Sequence, residues 1–204
     1  MDSINNGDVI YSTGTSGFRC IQQADNKVAM SIEEKTPVQW QTRTSDALQA
    51  NTWYHFCQKV TSNDMQFYIN GTEVTNALDP GGYGGDIDYT SVSYINVGRS
   101  GAGTDYAGYI DEFAIWDSAL SDSEISRLAL SFKKRLPLLI QRSNLQVYYS
   151  FDEYNVGTTY TWNVFIVRDL SGYSRNSFSV VGTPKVQAGI LGYLSNPMVG
   201  GGGQ

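Results

Sequence analysis

Apolar and polar residues alternate along most of this chain, in short runs broken by turn residues. Residues 8–11 read as a first strand, and Thr13-Gly-Thr-Ser-Gly17 as a turn cluster. Residues 18–24 and 27–32 read as a hairpin about Asp25-Asn26. In its second arm Val28, Met30 and Ile32 alternate with smaller or polar neighbours, the signature of a half-buried strand. Residues 36–42 form a further strand holding Val38 and Trp40. Residues 51–60 are apolar on both faces, as at the centre of a sandwich. Met65, Phe67 and Ile69 then alternate up to Asn70-Gly71, the strongest hairpin signal present, since a type I′ turn needs two positive φ values. Residues 72–75 return. Strands over 93–98 and about 107–116 follow, separated by Gly-rich loops over 79–89 and 99–105. The first of these loops is no phosphate-binding loop, because neither Gly-Lys-Ser/Thr nor a helix follows it.

The period then changes. Ile125, Leu128, Ala129 and Phe132 recur at helical spacing. Ser121 and Glu124 form a capping box in which each satisfies a backbone amide of the other, and Asp122 suits the positive end of the helix dipole. Pro137 marks the stop, with Leu136 pushed toward extended geometry. Strands resume at 145–151, 164–167 and 178–181, and Gly200-Gly-Gly-Gly203 reads as a flexible tail. Ten or more short strands and one capped helix predict an all-β antiparallel β-sandwich of jelly-roll type.

Composition narrows the function more than the fold. The 204 residues suit one large all-β domain or two small ones, and 14 tyrosines with 21 glycines suit short strands and tight turns. A formal net charge of -6 argues against a nucleic-acid partner, which needs a basic footprint. No apolar run approaches the roughly 18 residues of a membrane-spanning helix. Met1-Asp-Ser-Ile-Asn-Asn has neither a charged nor an apolar leader region, so it is not a signal peptide and the chain is expected to be a fragment or processed product. Cys20 and Cys57 lie in predicted strands and outside any zinc spacing. They are either bridged across adjacent strands or left as buried thiols.

Four ordered motifs carry a resemblance. Thr52-Trp-Tyr-His-Phe56, Phe67-Tyr-Ile-Asn-Gly71, Ile95-Asn-Val-Gly-Arg99 and Gly108-Tyr-Ile-Asp-Glu-Phe-Ala-Ile-Trp116 with Ala119-Leu-Ser-Asp-Ser-Glu-Ile125 resemble, in sequence order, motifs of laminin-G-like and pentraxin-like domains of the concanavalin A-like lectin/glucanase fold. Together they cover roughly residues 8–130. Val147-Tyr-Tyr-Ser-Phe-Asp-Glu153, Asp169-Leu-Ser-Gly172 and Ala188-Gly-Ile-Leu-Gly192 resemble the start of such a domain, yet follow its end. The expected organisation is therefore a sandwich body over 1–136 lacking its usual first strands, opening-type strands over 137–196, and a tail over 197–204. The second block is expected either to close the same sandwich as a circular permutant, to be donated to a neighbour, or to begin the next domain of a tandem array.

The resemblance also implies a chemistry. A structural Ca²⁺ would take oxygens from Asp111, from Asp152 or Glu153, and from Asp169, the hard ligands such a cation requires. Tyr83, Tyr89 and Tyr106, with Tyr94 and Trp40, could offer flat faces to sugar rings, though tyrosines in so Tyr-rich a chain serve equally as interface residues. No acidic triplet of glucanase type occurs. Glu33 and Glu34 are adjacent and on a strand face opposite sides, and His55 sits beside Trp53 inside a strand, so an enzyme is not expected. Asn70-Gly71-Thr72 is a glycosylation sequon at a hairpin tip. The expectation is an extracellular or cell-surface, non-catalytic structural or adhesive module, partnered by copies of itself or neighbouring repeats. The alternative is a calcium-dependent, glycan-binding lectin-like module.

Overall fold

The computed structural model describes residues 8–13, 17–23, 25–35, 38–61, 64–79, 95–98, 106–130, 136–151 and 169–173. The chain divides into two compact units: Met1–Tyr109 with Asn196–Gln204, and Ile110–Ser195. The Gly-rich loop over 79–89 beyond Asp79, the loop over 99–105, and the strands expected over 164–167 and 178–181 lie outside the described residues.

The first unit holds two antiparallel sheets. β1 (Asp8–Ser12), β2 (Phe18–Gln22), β3 (Val28–Lys35) and β4 (Val38–Thr44) run side by side in chain order, flanked by two short strands, β8 (Leu78–Asp79) against β4 and β9 (Asn96–Val97) against β1. The β2–β3 hairpin turns at Asn26, whose φ of 62° an asparagine tolerates, and sets Cys20 opposite Met30 and Phe18 opposite Ile32. Val28, Met30 and Ile32 have no solvent exposure, as the alternating pattern requires. Ala29 and Ser31, on the other side of the strand, are equally buried, so β3 is covered on both faces. There Ser31 and Thr42 satisfy each other's hydroxyls at 2.9 Å across the β3–β4 pair.

The second sheet is β5 (Phe56–Val60), β6 (Met65–Ile69) and β7 (Thr72–Glu73). Asn70 and Gly71, at φ 51° and 78°, make the two-residue turn that the sequence requires. Met65 and Phe67 are fully buried. The two sheets meet through a polar bridge: the Tyr11 hydroxyl donates to Gln58 Oε1 at 3.2 Å, and Gln58 Nε2 donates to the Ser31 carbonyl at 3.2 Å. The layered antiparallel architecture is the all-β sandwich expected from the pattern.

Two strands are shorter than the pattern suggests. The apolar run over 51–60 forms a continuous strand only from Phe56, with an isolated bridge at Thr52, because Asn51 (φ 60°) turns the chain and the Gln49 amide is held by the Tyr54 hydroxyl at 2.9 Å. Among the described residues β5 is also an end strand of its sheet, not a central one.

The second unit is built on a two-stranded ribbon, β10 (Phe113–Trp116) with β11 (Leu145–Tyr149). The strand expected from about residue 107 starts late because Glu112 sits at φ 54°, while its amide is bonded to Asp111 Oδ1 at 3.0 Å. Between the two strands runs α1 (Asp122–Leu130). Its capping box forms as read: the Ser121 amide donates to Glu124 Oε2 at 2.8 Å, and the Glu124 amide to Ser121 Oγ at 3.3 Å. Ile125 is the fully buried residue of the helix. Residues Leu136–Leu139 form a 3-10 helix containing Pro137, and a second follows at Arg142–Asn144. Trp116 Nε1 donates to the Ile140 carbonyl at 2.9 Å, and Gln141 Nε2 to Glu124 Oε2 at 2.8 Å, tying strand and helix start to this connection.

Candidate functional site

The opening-type strand β11 pairs with the closing-type strand β10 in the same chain. Phe113 lies opposite Tyr149, Ala114 opposite Tyr148, Ile115 opposite Val147 and Trp116 opposite Leu145, with a bulge beyond Ile115. Of the residues that the resemblance marks as cation ligands, Asp111 precedes β10 and Asp169 lies beside β11. Asp169 is buried, and both its carboxylate oxygens are taken. Oδ1 accepts the Tyr148 amide at 2.9 Å and the Ser171 amide at 2.9 Å, and Oδ2 accepts the Ser171 hydroxyl at 2.8 Å. The Leu170 amide donates to the Tyr148 carbonyl at 2.8 Å, and the Gln146 carbonyl, 3.0 Å from Ser171 Oγ, is an alternative acceptor for that one hydroxyl proton. Asp169 thus stands where a neighbouring strand's carbonyl would be, and the 169–171 turn caps the outer edge of β11.

Tyr148, fully buried, joins this turn to β10: its hydroxyl donates to Glu112 Oε2 at 2.7 Å. Phe113 stacks on Tyr149 at 6.2 Å between centroids, and Tyr149 meets Phe151 at 6.1 Å. A Ca²⁺ ion takes about six to eight oxygen ligands. Among the described residues no group of three or more His, Cys, Asp or Glu could hold a metal. Asp169 is turned to N–H and O–H donors, which a cation cannot replace. The described part of the candidate set therefore does not fit Ca²⁺; Asp152 and Glu153 lie outside the described residues.

Tyr83, Tyr89 and Tyr94 lie outside the described residues. Tyr106 is half-buried, its amide bonded to the Gly98 carbonyl at 2.9 Å, and burial pushes its hydroxyl above the ordinary tyrosine range. A Cβ placed on Gly108 would come within 2.6 Å of its ring, so glycine is what lets the ring lie there. Trp40 has the Arg19 guanidinium over its ring at 3.9 Å, so that face is already covered.

Cys20 and Cys57, the candidate disulfide, are both free thiols, and they lie in different sheets rather than on adjacent strands. Gln58 points across to Tyr11 and Ser31, so alternation along β5 turns Cys57 to the opposite face from Cys20. Burial raises both thiols, Cys57 to about 12. Asn70 is exposed, with Oδ1 accepting the His55 amide at 2.9 Å. His55 itself is held down to about 4 by burial, and its Nδ1 is buried with no partner among the described residues.

The capping role of Asp169 and the Tyr148–Glu112 bond escaped the sequence reading. An Asp-Leu-Ser turn signal was visible, but the strand it caps lies 21 residues away from Asp169.

Comparison with known proteins adds the lineage. No curated protein matches the sequence. Among solved structures, the S-layer domain-containing protein (residues 221–444) from Clostridium thermocellum is similar at 21% identity, covering 63% of this chain and 66% of that chain, with a TM-score of 0.33. The matched part is thus just under two thirds of that structure's length. The sequence profile of the concanavalin A-like lectin/glucanases superfamily, laminin G type, matches residues 1–126. That span contains the sandwich of the first unit, β10 and the capped start of α1. By that match and by its fold, the chain belongs to the laminin-G-type family of the concanavalin A-like lectin/glucanases superfamily.

Proposed function

We propose that this chain is a non-catalytic, extracellular structural or adhesive β-sandwich module that serves as a repeat or subunit of a surface or filamentous assembly. The observation that carries this reading is the use made of the carboxylates around β10 and β11. Asp169 and Glu112 accept hydrogen bonds from Tyr148 and Ser171 and so join one element to the next, as architecture demands. A general acid or nucleophile would instead need a carboxylate aimed at open space. The pairing of β11 with β10 supports the permuted arrangement, in which strands that open such a domain close it from behind. The half-buried aromatic row of Phe113, Tyr149 and Phe151 suits a molecule that works by packing.

The lectin-like alternative needs open aromatic faces. Among the candidates described, Trp40 is covered by Arg19 and Tyr106 is packed beside Gly108. Light scattering on a sizing column over a wide concentration range tests the assembly reading: mass should rise with concentration. A monomer at every concentration overturns it. A glycan array run with and without calcium should show no binding; specific calcium-dependent binding would replace this reading with the lectin-like one.

A further inference from the structure

The sequon Asn70-Gly71-Thr72 has no part in the reading above. It is the sole Asn-x-Ser/Thr sequence in the chain, with glycine rather than proline at its centre. Asn70 and Gly71 form the turn between β6 and β7, at φ 51° and 78°. A turn of this kind asks for Asn-Gly at its two central positions. It makes no demand for a hydroxyl at the position that follows.

The turn fixes how the Asn70 carboxamide is held. The Asn70 amide donates to the His55 carbonyl at 2.8 Å, and the His55 amide donates back to Asn70 Oδ1 at 2.9 Å. The side-chain oxygen stands in for a main-chain carbonyl and carries the β5–β6 ladder one step past the Phe56–Ile69 pair. Only an oxygen can accept from an amide, so the two ends of the carboxamide are assigned by chemistry. Oδ1 faces the sheet, and Nδ2, on the same carbon, is turned away from that bond. Asn70 and Thr72 are both exposed. Among the described residues neither Asn70 Nδ2 nor the Thr72 hydroxyl has a hydrogen-bond partner. Asn76 and Asn144 differ in this respect. Their Nδ2 atoms are occupied, by the Thr44 carbonyl at 2.8 Å and by Gln141 Oε1 at 3.1 Å.

We propose that Asn70 is an N-glycosylation acceptor whose carboxamide is divided between two tasks, the oxygen holding the start of β5 and the nitrogen carrying the glycan. The co-substrate is an oligosaccharide joined through its anomeric carbon to an isoprenoid diphosphate. Nδ2 bonds to that carbon as the bond from the carbon to the diphosphate oxygen breaks. The diphosphate leaves with the electron pair, one amide proton is released, and nothing is oxidised or reduced. The product keeps its carbonyl and one N–H. Oδ1 therefore still accepts from His55, and the hairpin closes round the modified residue as it does round the bare one. The glycan leaves from an exposed tip, where its bulk meets solvent. This rests on the extracellular part of the reading above, because the modification belongs to secreted chains.

The test passes the full chain, behind a cleavable leader, through a secretory host that glycosylates asparagine. The secreted protein should carry a single glycan chain by intact mass, on the peptide containing Asn70. Release by a glycoamidase in heavy-oxygen water should leave a labelled aspartate at that position, which separates release from spontaneous deamidation of the Asn-Gly pair. Thr72→Ser should keep the glycan. Thr72→Ala should lose it and still fold. Hydrogen exchange in the peptide covering 53–56 should be the same for the glycosylated chain and for Thr72→Ala, since both retain the bond to Oδ1. A secreted, folded chain left unmodified at Asn70 overturns the proposal. The assembly reading is then untouched, because it is decided by the mass of the unmodified chain. A glycan found only on chains that fail to fold, or one that strips protection from the His55 amide, overturns the proposed division of the carboxamide. If neither the chain nor Thr72→Ala folds on the secretory route although the chain folds when made in the cytosol, the extracellular reading falls and this inference with it.

Discussion

At the scale of single residues, the polar groups inside this protein are the informative ones. His55 is the clearest case. Its ring is desolvated, Nδ1 has no acceptor among the described residues, and its pKa falls to about 4. A group with a lowered basic pKa binds its proton more readily in the unfolded chain. The stability that neutral His55 permits is therefore full above an unfolded pKa of about 6.5. It drains away as pH falls from there toward about 4. The loss between pH 7 and pH 5 should be about 2 kcal/mol, a window lying above most carboxylate titration. Urea unfolding at the two pH values checks it. His55→Gln should flatten that difference, and an undiminished difference in the variant would assign the pH dependence elsewhere.

At the scale of elements, α1 shows local and tertiary determinants acting together. The capping box fixes where it starts. Glu124 does a second task that propensity gives no hint of, accepting from Gln141 and so fastening the helix start to the connection that leads into β11. The helix buries Ile125 completely, whereas Leu128 and Ala129 of the same stripe are only half-buried and Leu130 is 67% exposed. Ile125→Ala should cost about 2–5 kcal/mol, the range for a fully enclosed aliphatic side chain. Glu124→Ala removes a solvent-exposed N3 partner of the capping box and should cost clearly less than Ile125→Ala. Thermal melts of the two variants test the ranking, and equal losses would mean that Ile125 is not the anchor.

The elements also show which parts of the fold were legible in the sequence. The β2–β3 hairpin, the Asn70-Gly71 turn and the helix start were readable because each is set by neighbours in sequence: alternation, a pair of residues that tolerate positive φ, and a cap with its partner three positions on. The late start of β10 was not. Ile110-Asp-Glu-Phe113 alternates well enough to look extended, and only the positive φ at Glu112 breaks the strand. That conformation is held by the fold, through the Asp111 and Tyr148 bonds, and no local pattern announces it. The candidate site was partly visible. Asp111 and Asp169 were singled out as oxygen donors, and Asp169 does gather donors about it, but they are backbone amides and a serine hydroxyl. An aspartate two residues before a serine can look the same in sequence whether it holds a cation or caps a strand.

At the scale of the whole molecule, the boundary of the family match and the boundary of the structure differ. The match ends at residue 126, inside α1, whereas β10 has its strand partner at 145–149. A chain ending at residue 130 keeps every residue of the match. It loses β11, the Trp116 bond to Ile140 and the Asp169 turn. Such a truncation should fold poorly: a single unpaired β10 with an aromatic and aliphatic face is prone to aggregation. Expression and unfolding of the truncated and full-length chains side by side check this. A truncated chain that stays soluble and melts cooperatively at the full-length temperature would show that β11 is dispensable to the sandwich.

The bridge of Tyr11, Gln58 and Ser31 between the two sheets of the first unit has a meaning of its own. Apolar side chains facing one another across a sandwich are forgiving about lateral offset, since one methyl group serves nearly as well as the next. A carboxamide that must accept a hydroxyl proton with one end and donate to a main-chain carbonyl with the other has a single workable position. Gln58 therefore acts as an indexing pin. The aliphatic core makes the sheets adhere, and this one polar side chain determines which of several nearly equivalent alignments they adopt.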